Sequence, residues 1–457
     1  MVGVVITYSI IQKNQLESAK RIDAEYYQPE YLELNNLLLS LKTDFLSTLC
    51  KITDGNHSKI SERFVSSGVR YLRGQDLAEF FVSDNDPMYI PNEIYSKLKR
   101  SHIFYEDVLV SIVGTVGSVS IAAKPIDKLT GNCKIAILHS EKIDPWFLAV
   151  FLHSKYGQSQ IHRKVAGTVQ TGIILKNLAK VIVPIFGEER QQAIKKIAID
   201  AYKNQTDGKF LYMKAESLLL DELGIKDFHV HDDSSYIVNL SEIKSARRTD
   251  AEYFQPKYEK LLKEIQNKNL KPLNYLVSMK KGIEPGSDEY LDEGKLFIRV
   301  SNLSTHGINA RDQKYLSNEL YQSLRKDCEP KTGEILLTKD ATPGIAYVLK
   351  EPIEGIISSG ILRIKIKDDV DTEYLALCIN SIVGQMQIQR DAGGSIITHW
   401  KPEQIKRLQI PIFPKPTQQK IADLVRQSHE ARRKSKELLE QAKKTVEQYI
   451  EDDRESV

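Results

Sequence analysis

The sequence contains no Pro-Pro pair, no Cys-x-x-Cys pair and no Gly-x-x-x-x-Gly-Lys-[Ser/Thr] run. The first absence removes the [Asn/Asp/Ser]-Pro-Pro-[Tyr/Phe] motif of an adenine or cytosine methyltransferase. The nearest match, Asp86-Pro87-Met88-Tyr89, reads as a turn. The third removes a phosphate-binding P-loop, since Gly208-Lys209 and Gly294-Lys295 are followed by Phe and Leu. No glycine-rich loop follows a strand in a cofactor pattern, and His-Glu-x-x-His is absent. Glu284, Asp288 and Glu293 lie in a Gly/Pro-rich turn and read as solvated surface rather than a nuclease site. No metal site is expected.

Cysteine is scarce. Cys50, Cys133, Cys328 and Cys378 are the four present, and a chain of 457 residues needs no staples. Buried thiols in a reducing compartment are expected. Long apolar runs are also missing. Val108 to Ala123 is interrupted by Gly114, Gly117 and four hydroxyl residues, so no membrane span is expected. The N-terminal MVGVVITYSII has no basic residue before it and no small-residue cleavage site, and reads as a strand or helix start rather than a signal peptide. The cytoplasm is the expected location. Charge of one sign is not in excess: 64 basic against 61 acidic residues give a net +3. Contact with phosphates depends on local clustering of Lys and Arg, so this balance neither announces nor excludes a nucleic-acid partner.

What is present is a chain with 41% hydrophobic and 27% charged residues, long enough for two to four units with real cores. It is internally duplicated. Residues 21–31 read RIDAEYYQPEY and residues 248–258 read RTDAEYFQPKY, with eight of eleven positions identical at an offset of 227. Chance would give roughly one match or fewer. The offset persists: Gly55 matches Gly282, Gly117 matches Gly344, Gly157 matches Gly384, and Arg163 matches Arg390. Gln191-Gln192 matches Gln418-Gln419. With a one-residue slip, Tyr71-Leu-Arg matches Phe297-Ile-Arg. The stretches 56–68 and 283–293 have diverged. Two copies share a frame and differ in the surfaces they present.

Each copy predicts an α+β unit. A short helix (31–41, 258–266) leads into β-branched strands between turns, for example 108–113, 118–123, 134–138, 335–338, 345–349 and 361–366. Helices are expected at 145–164 and 372–390, then exit strands at 181–185 and 408–412 and a long helix. In those last helices a 3,4 spacing runs through Ile194, Ile197, Ala201, Asn204, Gly208, Leu211, Ala215, Leu218 and Glu222. It recurs through Ile421, Leu424, Ser428, Ala431, Ser435, Leu438, Ala442, Thr445 and Tyr449. Sustained spacing of this kind predicts a coiled-coil seam, with small or polar centres that allow close approach. We expect the two helices to pair antiparallel through Ile194, Ile197, Ala201, Leu211, Leu218, Ile421, Leu424, Leu438, Ala442 and Tyr449, against the alternative of two ordinary surface helices. About thirty residues at ~1.5 Å each make a rod of ~45 Å. The NQTDG run at 204–208 weakens the first helix and marks a kink or break.

The duplicated order of one variable body plus one long helix resembles the specificity subunits of type I restriction–modification systems. Phrases that carry the resemblance are Ile52-Thr53-Asp54-Gly55-Asn56-His57, Phe297-Ile-Arg-Val-Ser-Asn-Leu303, Gly114-Thr-Val-Gly117, Leu337-Thr-Lys-Asp-Ala-Thr-Pro-Gly344 and Ser358-Ser-Gly-Ile-Leu-Arg-Ile364. The resemblance covers nearly the whole chain, and its specificity lies in the order of these phrases within a duplication. It departs at Lys280-Lys281-Gly282, where the first copy has Thr53-Asp54-Gly55, so the two loops are not expected to touch DNA alike.

The resemblance implies a tandem duplication of a β-rich target-recognition domain, each followed by a long helix. The boundaries read as domain 1 at 1–187, a central spacer helix at 188–224, a linker at 225–246, domain 2 at 247–414 and a C-terminal helix at 415–451. It implies a non-catalytic chain without cofactor. Each domain reads half of a bipartite site in double-stranded DNA while the helices set the spacer. Two modification (methyltransferase) subunits carry the S-adenosylmethionine chemistry, and restriction subunits add Mg²⁺- and ATP-dependent translocation and cleavage. Alternatives are a coiled-coil protein-binding scaffold and a divergent nuclease or methyltransferase. Base reading needs donors and acceptors on rigid loops, with Lys and Arg around them for phosphates. Candidates are His57, Arg73, Gln75, Lys99, Arg100, His102, Arg163 and Lys164 in the first copy. In the second they are Arg299, Asn302, Arg311, Lys339 and Arg390. Each could equally be an ordinary solvated or capping residue, and the matched Arg73 and Arg299 could be scaffold.

Overall fold

A computed structural model describes residues 8–19, 21–125, 128–166, 171–230, 232–309, 312–393 and 398–455. The N-terminal strand or helix expected at 1–11 thus lies mostly outside the described residues. The chain divides into two compact units, Met1–Thr206 with Arg432–Val457, and Asp207–Ala431. The boundaries cut both long helices, Glu188–Leu223 and Lys415–Glu455, so each unit holds a piece of each. The fold is α+β and duplicated.

In the first unit a four-stranded antiparallel sheet runs in the order Cys50–Asp54, Ile135–Ser140, Val108–Ser111, Val119–Ile121. Val108–Ser111 and Val119–Ile121 are buried at every position, which suits short strands of Val, Leu and Ile around single serines. A second sheet orders Met88–Ile90, Val69–Leu72, Leu129–Gly131 and His102–Ile103. Its central pair, Val69–Leu72 with Leu129–Gly131, is parallel. The second unit repeats the plan. Val277–Lys281, Ile361–Ile366, Ile335–Thr338 and Ala346–Val348 form the antiparallel sheet. Lys314–Leu316, Lys295–Ile298 and Gly355–Ile357 form the other, again with a parallel pair. The short exit strand of each copy, Ile182–Pro184 or Gln409–Pro411, pairs with a strand at its entry, Thr43–Phe45 or Leu270–Pro272.

The helices expected at 145–164 and 372–390 are each two. Pro145–His153 is followed by Lys155–Arg163, and Thr372–Asn380 by Ile382–Asp391. The breaks fall at Ser154 and Ser381, where the chain folds back so tightly that only glycine fits three residues on. A Cβ on Gly157 would lie 2.4 Å from the Phe151 carbonyl oxygen, and one on Gly384 would lie 2.2 Å from that of Ile379. Residues 146–152 and 373–379 are buried without interruption, so no apolar periodicity marks where the first helix of each pair stops.

The first long helix is continuous through NQTDG, contrary to the expected kink or break. Asn204 Nδ2 donates to the Asp200 carbonyl at 2.8 Å and Thr206 Oγ1 to that of Tyr202 at 3.0 Å, so these side chains lie along the helix instead of unwinding it. Gly208 is buried, and Ser428 Oγ donates to its carbonyl at 2.6 Å. Within the second unit 207–223 packs against 415–431, with Ala215, Leu219, Leu223, Ile421, Ala422 and Val425 in one core. Within the first, Ser435 Oγ donates to the Ala201 carbonyl at 2.7 Å, and Ile194, Ala198 and Ala201 share a core with Ala442, Val446 and Ile450. Residue numbers rise on one helix as they fall on the other, so both stretches pair antiparallel. Of the ten residues expected to pair, Ile194, Ala201, Ile421 and Ala442 are buried. Ile197, Leu218, Leu424, Leu438 and Tyr449 pack partly buried against the same cores, and Leu211 is half-buried.

The two copies differ at one instructive frame position. Asn380 clamps the strand Ala346–Val348 with two amide bonds to Ala346, at 2.9 and 2.8 Å. Its counterpart is His153, near the backbone of Val119, with Lys443 and Glu440 of the second long helix as its charged neighbours. Burial, aided by Lys443, holds the His153 imidazole at about 4, against an ordinary value of 6.5. Between those values the unfolded chain binds a proton that the folded chain does not, so stability is complete above pH 6.5 and is lost as pH falls toward 4. The loss should reach up to about 3 kcal/mol. His153→Asn, which installs the residue of the other copy, should flatten this part of the profile when urea midpoints are compared at pH 7 and pH 4.5. An unchanged profile would contradict the assignment.

Candidate nucleic-acid interface

Asp54 ends the strand Cys50–Asp54, and the next residues turn over the strand ends of the sheet. The turn requires glycine, because a Cβ on Gly55 would meet the Asn132 carbonyl oxygen at 2.0 Å. Gly55 N–H donates to Ile135 and Asn56 N–H to Gly131, and the Asn56 side chain closes the loop onto Ser58. On this base Asp54, only 10% exposed, accepts from two side chains. His57 Nε2 is 2.7 Å from Oδ2, and Arg100 Nη2 donates to Oδ1 at 2.5 Å. His57 and Arg100 are themselves 66% and 69% exposed. Arg100 stands on the turn Lys99–Ser101, fixed by the buried bond between the Ser101 and Thr130 hydroxyls. Lys99, beside Arg100 in sequence, and Gln75 are exposed, with no role in the frame among the described contacts.

Several other candidates are occupied by the frame. Arg73 donates to the Asp76 and Asp86 carboxylates, both at 3.0 Å, and to the Asp86 carbonyl at 2.6 Å. Its match Arg299 holds Asp312 through carboxylate and carbonyl in the same way. Asn302 is fully buried and caps the Arg299 N–H at 3.1 Å, as Asp76 does for Arg73 at 2.7 Å. His102 stacks on Tyr95 with ring centroids 3.9 Å apart and bonds the Tyr95 carbonyl.

Arg163 and Arg390 explain the repeated Asp-Ala-Glu-Tyr segment. Arg163 lies over the Tyr26 ring at 4.3 Å and Arg21 at 4.8 Å, while Arg163 Nε donates to the Tyr26 carbonyl. In the second unit Arg390 and Arg248 lie over Tyr253 at 4.7 and 4.5 Å. Arg21 grips Asp23 and the Val165 carbonyl, and Arg248 grips Asp250 and the Asp391 carbonyl. Each copy thus fastens its entry segment to its helical layer through two guanidiniums about one tyrosine ring. The adjacent Lys164 is lowered to about 8, chiefly by burial and secondarily by Arg163.

In the second unit Lys339 is 12% exposed and pairs with Asp340. Asp340 also accepts from His399 Nδ1 at 2.7 Å, with His399 56% exposed. Desolvation opposes these contacts, yet Lys339 and His399 hold the Asp340 carboxyl below its ordinary range. Arg311 lies outside the described residues. The sequence reading missed Asp54, Asp340 and His399 as members of these clusters. The Asp54–His57 spacing was visible within one phrase, but the approach of Arg100 and of His399 depends on folding. Among the described residues no group of three His, Cys, Asp or Glu could hold a metal, and no helix is long and apolar enough to cross a membrane. The four cysteines are free, with the Cys50 and Cys378 thiols pushed up to about 12 by burial.

Residues 254–444 match the family model described as the type I restriction modification DNA specificity domain. The chain is 28% identical over 131 residues to the specificity subunit of the type I restriction enzyme EcoBI of Escherichia coli, a match that spans 28% of this chain and 28% of that relative. Among solved structures, the type I restriction–modification S subunit from M. genitalium is similar over 91% of this chain and 94% of its own, at 15% identity and a TM-score of 0.38. The HsdS subunit from Thermoanaerobacter tengcongensis is similar over 89% and 95%, at 14% identity and a TM-score of 0.27. Residues 254–444, most of the second copy, are thus the part of the chain that is similar to the type I restriction modification DNA specificity domain.

Proposed function

We propose that the chain is the DNA specificity subunit of a type I restriction–modification complex, with each unit reading one half of a bipartite duplex site. The observation that carries this reading is the duplication itself. A fold whose second copy matches a DNA specificity domain occurs twice, with the frame held by the same bonds and the loops on it diverged. A protein that reads two different half-sites needs that combination: one way of positioning loops, two sets of loops. The long helices set the spacer and dock two methyltransferase subunits. Phe210 and Met213, 63% and 67% exposed on the first long helix, are apolar surface suited to such docking. The chain itself is non-catalytic and binds no cofactor. S-adenosylmethionine, Mg²⁺ and ATP act on the methyltransferase and restriction subunits, in the cytoplasm.

Two measurements test this. Exchange of residues 45–186 for those of another such chain should change one half-site and leave the other and the spacer unaltered, as read by methylation-site sequencing. A change in both half-sites would contradict independent reading. Duplex affinity should fall steeply with salt, because each phosphate neutralised by Lys or Arg releases counterions. With six to ten phosphate contacts the loss between 50 and 200 mM salt is about 10³–10⁵-fold. A protein-binding scaffold would not retard duplex DNA at moderate salt.

A further inference from the structure

Asp54 is a costly residue to bury unless its charge is used, and the structure shows it used twice. One oxygen holds His57 at 2.7 Å and the other holds Arg100 at 2.5 Å, across 46 residues of sequence. As a stabilising device the arrangement is weak, since ion pairs with a solvent-exposed partner are worth little. Arg100 and His57 are two-thirds exposed and anchor nothing else among the described residues. What the carboxylate achieves is orientation. It removes the rotational freedom of two long or two-sided donors and leaves their outer edges in solvent, on a loop that Gly55 pins to the sheet. We infer that Asp54 is a positioning residue that presents Arg100 and His57 as the base-reading pair of the first unit, an inference that rests on the DNA-reading role proposed above.

The chemistry of the pair specifies what it reads. A guanidinium with one nitrogen engaged keeps an edge with paired N–H groups, which matches the O6 and N7 acceptors of guanine in the major groove. A neutral imidazole that donates Nε2–H to Asp54 is left with Nδ1 as an acceptor, which matches the exocyclic amino group of adenine or cytosine. The cluster also belongs to one copy only. At the repeat offset Asp54 is replaced by Lys281 and His57 by Glu284. Residues of the shared frame, such as Arg73 and Arg299, are the same in both. A specificity element must differ between units that read different half-sites, and this one does.

The test is methylation-motif sequencing of DNA from cells that express the full chain with its neighbouring genes, for the wild type and for Arg100→Ala, Arg100→Lys and Asp54→Asn. Arg100→Ala should lower discrimination at one guanine of one half-site by about 5- to 150-fold, with the other half-site and the melting temperature unchanged. Arg100→Lys keeps the charge but loses the fork, so it should relax the same position. Asp54→Asn should relax it by a smaller factor. A motif unaltered by all three variants overturns the inference while leaving the proposed function standing. So does a uniform loss of methylation with no change of sequence, which marks a phosphate contact. The absence of any bipartite motif with the wild-type chain overturns the proposed function, and this inference with it.

Discussion

Backbone polar groups buried at the ends of short strands and broken helices must find partners, and glutamine side chains supply them at matched positions in both units. Gln158 donates to the carbonyls of Gly117 and Leu152, and Gln385 to those of Gly344 and Ile379. Gln160 bonds both the N–H and the carbonyl of Ile182, and Gln387 does the same at Gln409. Gln191 accepts from the Asp144 N–H and donates to Phe186, and Gln418 accepts from Asp371 and donates to Phe413. The last pair ties the start of each long helix to the helical layer of its own unit. Removing any one of these amides would leave buried backbone groups unpaired, at about 1–3 kcal/mol each. This constraint keeps the frame the same in the two copies. The loops carry no such burden.

The frame was legible in the sequence for that reason. The repeated Gln-Gln pairs, the matched glycines and the Asp-Ala-Glu-Tyr segment are positions where one side chain satisfies one geometric need, and they recur at a fixed offset. The strands Val108–Ser111 and Ile335–Thr338 are visible as short, mainly apolar runs. Less legible were features set by tertiary contact. The first long helix runs on through NQTDG, with Asn204 and Thr206 bonded back to carbonyls four residues earlier, where local propensity predicts a break. The seam follows the 3.6-residue geometry of straight helices as well as the heptad, so Ala198, Leu219, Leu223, Ala422, Val425, Val446 and Ile450 are buried although the 3,4 spacing did not select them. The helix breaks at Ser154 and Ser381 are set by close backbone approach, which leaves no mark beyond a single glycine.

The candidate site divided along the same line. Sequence reasoning marks only the matched Arg73 and Arg299 as possible scaffold and leaves the other candidates undivided. Folding separates those that hold the frame, such as Arg73, Arg163, Arg299 and Arg390, from those held outward by it, His57 and Arg100. The deciding quantity is what each charged group leaves unsatisfied after its structural bonds are made. Arg163 is spent on a tyrosine ring and a carbonyl, whereas Arg100 gives one nitrogen to Asp54 and keeps the rest for solvent or a ligand.

The central claim is that both units present loops to DNA from a common frame. Hydrogen–deuterium exchange of the full chain, with and without its cognate duplex, addresses it most directly. The account predicts slowed exchange on DNA addition at 54–68 and 99–104 in the first unit and at 281–294 and 339–344 in the second, with the sheets unchanged. Protection confined to the long helices, or to the loops of one unit alone, would contradict it.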